Sequence, residues 1–553
     1  MLARCSTATL VGLDAVEISV EVDMAPGLPG LQLVGLPDTA VQEARERVRA
    51  ALRNCGLKVP LTRVVVNLAP ADLRKAGPGF DLPIALAMLV ASGQLAPQRL
   101  AGIWSTAELG LDGRLRPIRG VLAVAMAARA HGARALLLAG GNAAEAALVE
   151  GLSVWGASDL TEVVRCLRTP PSEQPLRSSS THREHSRPGP HPQDLSDVHG
   201  QHHGRRALEI AAAGGHHLIL VGPPGSGKTM LARRLAGLLP PMSREDALEL
   251  TRLHSVAGLI PEGGGLVERR PWRSPHHSCS AAALIGGGAT PRPGELSLAH
   301  HGILFLDELT EFRRPVLDHL RQPLEDGEVW IHRSRHHCRF PCRITLVAAT
   351  NPCPCGWFGD PSQRCSCRDS ARKRYWGRLS GPLLDRIDLQ VVMRPTPAAA
   401  LADLHRSGVQ ASFPESSGIV AERVKEARAR MERRNPGGCR NAGLAEPELR
   451  RVIDLSSTAV DLWEKAIRLR RFSARGACKV LLVSRTISDL KQEDQVSAHS
   501  LAEAVSYRTF DPLIDGNLID GNPPIDGDPL MAVGRSGCPP EPQVPRGHRG
   551  ARG

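Results

Sequence analysis

A chain of 553 residues, 42% hydrophobic and 23% charged, is too long for one ordinary domain and has a globular composition, neither disordered nor membrane-embedded. Its net charge of +12 favours a polyanionic partner without identifying one. No apolar run approaches the roughly 18–20 residues of a membrane-spanning helix. Asp14, Glu17 and Glu21 interrupt the segment where a secretory signal would be apolar, so a cytoplasmic location and no membrane partner are expected. In that reducing compartment the thirteen cysteines read as metal ligands, reactive thiols or small core residues, not as disulfides.

In chain order, residues 1–168 alternate strand-like and helix-like patterns. The stretch at 62–68 is short and β-branched, as a buried strand should be. In the helical stretch 41–54, Val41, Ala44, Val48, Ala51 and Leu52 share one face. An α/β domain is expected there. Residues 169–193 replace apolar periodicity with Pro, Ser and His and read as a flexible linker. A second α/β unit follows over 194–395, then a helix-rich region over 396–510. The degenerate repeat at 511–553 reads as a disordered tail.

The second unit carries the chemistry. Residues 222–229 read Gly222, Pro223, Pro224, Gly225, Ser226, Gly227, Lys228, Thr229, between a strand at 217–221 and a helix at 230–239. In that setting backbone N–H groups and a helix N-terminus surround phosphates, Lys228 meets the β and γ phosphates, and Thr229 binds Mg²⁺. The apolar strand at 302–309 ends in Asp307 and Glu308; Asp307 is the second Mg²⁺ ligand, and Glu308 orients and activates the attacking water. Asn351 closes another buried strand and is placed to sense the γ-phosphate. Behind this pair of motifs, Arg386 and Arg475 read as stabilisers of charge on the transferred phosphoryl group. ATP and Mg²⁺ are the expected cofactors.

This ordered set resembles AAA+ ATPases, and the wording between the motifs narrows the resemblance. Residues 194–201, the stretch RSPHHSCSAAALIGGGATPRPGELSLAHHGILFLDEL, AATNPCPCG, LSGPLLDRIDL and the N-terminal GLPGLQLVGLPDTAVQEARERVRAAL look like the ComM/YifB family of magnesium-chelatase-like AAA+ proteins. The resemblance implies an α/β core with a parallel sheet, a helical C-terminal lid and an N-terminal domain like the proteolytic domain of Lon (S5-like). It also implies a hexameric ring that migrates DNA branches during natural transformation, with Arg386 reaching the neighbouring subunit's ATP and Arg475 acting in cis. The Lon resemblance stops short of its chemistry: Gly79 stands where the serine nucleophile belongs and Leu122 where its lysine would fall, so a non-catalytic domain is expected. An ATPase subunit of a metal chelatase and a chaperone-like remodeller are the competing functions.

Two segments point toward DNA. Residues 364–378 hold six basic residues and one acid around Tyr375 and Trp376, a combination of phosphate neutralisation and base stacking that suits any sequence. Residues 325–344 read as a β-hairpin with Arg333, Arg335, His336, His337 and Arg339 at or near its tip. The basic helix at 422–434 reads as a solvated face. Between the sensor and the basic segment, Cys353, Cys355, Cys365 and Cys367 match a Cys₄ zinc site in number, although a single residue within each pair is less favourable than two to four. Structural zinc, free or redox-active thiols, and disulfides all remain readings of that cluster. His276 and His277 stand out without a mechanism.

Overall fold

The computed structural model describes residues 2–169, 193–288, 291–333, 336–359, 364–395, 415–470 and 472–508. The predicted linker (but for its two ends), the tail and Arg335 lie outside the described residues.

The N-terminal unit is built on a seven-stranded mixed sheet in which the antiparallel pair Ala3–Val11 and Asp14–Ala25 meets parallel strands on the Ile103–Thr106 side. The helix Thr39–Asn54 starts at Asp38, whose carboxylate accepts the Val41 N–H at 2.8 Å. It buries Val41, Ala44, Val48, Ala51 and Leu52, the face its periodicity selects.

The second unit is a five-stranded, all-parallel sheet. Its spatial order is Trp272–Arg273, Ile303–Leu306, Thr345–Thr350, Leu218–Val221, Leu389–Val392. The three inner strands are buried throughout, as a parallel sheet covered by helices on both faces requires. Strand order reverses beside Leu218–Val221, so loops leaving the carboxyl ends there diverge and open a crevice.

The helices Ser417–Arg434, Ser457–Arg470, Ala474–Leu490 and Ala498–Ser506 complete the core around Val424, Ala427, Val480 and Leu501. The basic helix keeps the solvated face its charge balance predicts, with Glu422, Lys425, Glu426, Glu432 and Arg433 exposed, and packs through the other. Arg423 binds Glu209 at 2.7 Å, Arg428 donates to the Ala212 carbonyl, and Arg434 pairs with Asp489. The two units are joined directly. Leu13 at the first β-turn joins the apolar core that holds Val329, Ile331 and Cys338 of the hairpin, and Gly120 N–H donates to the Ser255 carbonyl at 3.1 Å.

Candidate functional site

The crevice gathers the phosphate-loop residues. Gly225 and Gly227 sit at φ +77° and +86°, a conformation open to glycine and costly for other residues. A Cβ at Gly222 would lie 2.6 Å from the Met393 carbonyl oxygen, so only glycine lets the loop close there. The loop ends in the helix Lys228–Leu238. Lys228 Nζ donates to the carbonyls of Gly222 and Pro223 at 2.7 and 3.0 Å and to Asn351 Oδ1 at 3.1 Å. Burial lowers its pKa, opposed by Asp307. Thr229 Oγ1 donates to Asp307 Oδ2 at 3.1 Å, and the Glu308 N–H donates to Asp307 Oδ1 at 3.0 Å. The structure thus brings Lys228, Thr229, Asp307, Glu308 and Asn351 to one place.

These residues fit ATP with Mg²⁺. Ser226 Oγ is buried without a hydrogen-bond partner, the hard oxygens of Thr229 and Asp307 suit Mg²⁺, and the loop leads into the N-terminus of the helix Lys228–Leu238, where phosphate is favoured. Gln201, missed in the sequence, also serves the site: its Nε2 donates to the Ser226 and Arg394 carbonyls at 3.2 and 2.7 Å. A left-handed φ of +50° at a non-glycine residue marks it in the structure, but no spacing signals it.

Arg386 and Arg475 come together on one carboxylate. Both bind Glu325: Arg386 Nη2 to Oε2 at 2.5 Å and Arg475 Nη2 to Oε1 at 2.7 Å. The resemblance implies that they act on different nucleotides, one in trans and one in cis; the structure puts them on one carboxylate. Two residues past Arg386, buried Asp388 binds Lys479 at 2.9 Å and His216 at 3.2 Å. His216 in turn meets Thr486 at 2.8 Å. This network ties the last sheet strand to the helix that carries Arg475.

The four cysteines converge despite their single-residue spacing. Cys353 Sγ lies 3.3 Å from Cys355 and 3.7 Å from Cys365, Cys355 lies 3.6 Å from Cys365, and all four sulfurs fall within 4.8 Å of one another. Thiolates about 2.3 Å from a tetrahedral zinc would stand roughly 3.8 Å apart, so the set fits that ion. Against desolvation, the Trp357 N–H and the neighbouring thiols pull Cys355 down to about 6. The turn also touches the nucleotide loop: a Cβ at Gly356 would lie 2.8 Å from Pro224 Cδ and 3.9 Å from Asn351 Cγ.

A second cluster, Glu249 with His300 and His301, is a charge-linked packing node. His300 Nδ1 accepts the Arg343 N–H at 3.0 Å, so its proton resides on Nε2, 3.1 Å from Glu249. The two neighbouring imidazoles, His301 within hydrogen-bonding distance at 3.1 Å, hold the Glu249 carboxyl well below its usual range.

The predicted stacking role of Tyr375 and Trp376 is corrected. Both are buried, at 6% and 4% exposure. Trp376 Nε1 donates to the Pro352 carbonyl at 3.0 Å and Tyr375 meets Thr350 at 3.3 Å, so the pair anchors the helix Asp369–Trp376 beside the sensor strand. Arg368, Lys373 and Arg374 are exposed. The hairpin forms between Glu328–Arg333 and His336–Pro341. Val329, Ile331, Cys338 and Phe340 face inward, while Trp330, His332, His337 and Arg339 face out. Trp330 is 45% exposed and stacked on His332; it is the accessible aromatic that the sequence reading passed over.

At the Lon-like position, Gly79 leaves no room for a nucleophile. A Cβ there would lie 2.8 Å from Thr106 Oγ1 and 3.0 Å from Ile118 Cδ1. Leu122 is buried.

A phosphate loop, an Asp-Glu strand and a sensor asparagine on a parallel sheet backed by a helical lid define a magnesium-chelatase-like AAA+ protein. Residues 194–401 match the family described as magnesium chelatase, subunit ChlI; 20–142 match subunit ChlI of Mg-chelatase, and 414–508 its C-terminal region. The chain is 43% identical over 516 residues to the competence protein ComM of Haemophilus influenzae, covering 92% of this chain and 98% of that one. It is 43% identical over 514 residues to the protein YifB of Escherichia coli, covering 93% and 98%. It is 28% identical over 151 residues to Lon protease 2 of Bacillus subtilis, covering 25% of this chain and 26% of that one. The chain belongs to the ComM/YifB family. Among the described residues no helix is long and apolar enough to cross a membrane.

Proposed function

We propose that this protein is a cytoplasmic, ATP-driven DNA-remodelling motor, a hexameric ring that migrates branches in recombination intermediates during natural transformation. The observation that carries the reading is the division of the phosphoryl-transfer residues. Lys228, Thr229, Asp307, Glu308 and Asn351 are linked to one another at the crevice, while Arg386 and Arg475 are both engaged by Glu325. A complete site then needs arginines from a neighbouring copy, which makes hydrolysis conditional on assembly.

Bound ATP with Mg²⁺ supplies the phosphoryl group and neutralises its charge. The chain's own residues do the rest: Lys228 binds phosphate oxygens, Thr229 and Asp307 hold the ion, Asn351 reports the γ-phosphate, and Glu308 takes a proton from the attacking water. Zinc on Cys353, Cys355, Cys365 and Cys367 would brace the loop between Asn351 and the helix Asp369–Trp376. It does no chemistry, because four thiolates leave no open position. DNA phosphates meet Arg368, Lys373 and Arg374, and the outward hairpin face offers Trp330 and Arg339. The Lon-like domain serves without proteolysis.

The family descriptions favour a second reading, the ATPase subunit of a metal chelatase. One experiment separates the two: ATPase turnover with and without branched DNA, followed by movement of a four-way junction. DNA-stimulated turnover and junction movement support the motor; absence of both removes it.

A further inference from the structure

The stretch RSPHHS is placed by sheet register. Its edge strand Trp272–Arg273 pairs in parallel with Ile303–Leu306, with Arg273 opposite Leu304. Counting four residues on from that rung reaches His277 in one chain segment and Glu308 in the other. The edge strand is anchored, since Arg273 binds both oxygens of Glu295 at 2.6 Å.

The register brings His277 Nδ1 to 3.1 Å from Glu308 Oε2. At that distance two lone pairs would repel, so the proton belongs on Nδ1, facing the carboxylate. The imidazole is held from both sides: the His276 ring lies 4.1 Å away, and buried Phe312 presents an edge at 6.4 Å. His276 is itself fixed by Ser278, whose hydroxyl lies 2.8 Å from His276 Nδ1. Glu308 needs such a partner. It is more than half exposed and lies in the left-handed region at φ +51°, a conformation uncommon for a non-glycine residue and concentrated at functional sites.

We propose that His277 is the positioning residue for Glu308. It engages Oε2 and fixes the carboxylate rotamer, which leaves Oε1, without a side-chain partner among the described residues, for the attacking water. This rests on the assignment of Glu308 as the group that activates water. His277 itself touches neither water nor phosphate.

The test uses the full-length protein, with ATP as the probe and both turnover and nucleotide affinity measured. His277→Ala should lower kcat by about tenfold or more, a part of the roughly 10²–10⁴ that a positioned general base supplies, with the Kd for ATP unchanged. Asn places its amide donor where Nδ1 stands, so His277→Asn should recover most of the rate, whereas His277→Gln, which mimics Nε2, should not. In a Glu308→Gln background His277→Ala should have no further effect. An unchanged or raised kcat in His277→Ala overturns the proposal, as does a loss that Asn and Gln repair equally. Glu308→Gln alone separates the two layers: full turnover there removes the reading beneath the proposal, while its loss with a normal His277→Ala removes the proposal alone.

Discussion

Lys228 spends its three hydrogen-bonding positions on two carbonyls of its own loop and on Asn351. That geometry aims a partly buried cation at the place where phosphate oxygens belong. Lys228→Ala removes charge-assisted bonds each contributing about 1.5–3 kcal/mol, so ATP affinity should fall at least about 100-fold in a fluorescent-nucleotide titration. Glu308→Gln keeps the shape and loses the base: affinity should stay and turnover should vanish, and equal turnover would count against the assigned role. Residues of this kind were legible because a Gly-Lys-Thr loop and an Asp-Glu pair carry their chemistry in their spacing. Tyr375, Trp376 and Trp330 were not legible in this way. Which aromatic faces water is decided by the side of a helix or hairpin that packs, and that depends on distant residues such as Leu13, Thr350 and Pro352.

At the scale of elements, the helix Ala474–Leu490 is fastened to the sheet through Asp388, buried at 1% exposure and bound to Lys479 and His216. Asp388→Ala would strand a partly buried Lys479 and should cost about 3–5 kcal/mol, read as a shift of the denaturant midpoint. The same region makes stability depend on pH. Burial lowers the His217 pKa to about 4, and its Nδ1 accepts the Leu346 N–H at 3.1 Å, which a proton there would break. An unfolded histidine titrates near 6.5, so between about pH 6.5 and 4 the unfolded chain binds a proton that the folded chain refuses. Stability should therefore fall as pH drops through that window, by on the order of 3 kcal/mol. Despite burial, Lys479 and His216 hold the Asp388 carboxyl below its usual range, so its contribution is present above roughly pH 4 and lost below. A midpoint constant from pH 7 to 4 would refute the His217 assignment. The strands and helices that frame this network were legible as buried β-branched runs and 3.6-residue periodicity. The buried Asp-His-Lys contact was not, because it joins residues 388, 216 and 479 with no local pattern between them.

At the scale of the whole molecule, the two arginines decide how copies must cooperate. Both are bound to Glu325 in the single chain, and Asp385 is bound by Ser473 and Arg508, so the segments carrying Arg386 and Arg475 are tied into one body. If that body completes a neighbour's ATP site, an Arg386→Ala subunit keeps its own crevice intact and disables the next one. Mixtures of Arg386→Ala with wild type, held at constant total protein, should then lose ATPase activity faster than the wild-type fraction falls, while ATP affinity in the mutant stays within about threefold, or roughly 0.7 kcal/mol. Arg475→Ala should give the same curvature, because it shares the carboxylate; the cis role would instead give a straight line for Arg475 and a curve for Arg386. Straight lines for both would mean that each copy hydrolyses ATP alone, and the assembly-dependent motor would be excluded.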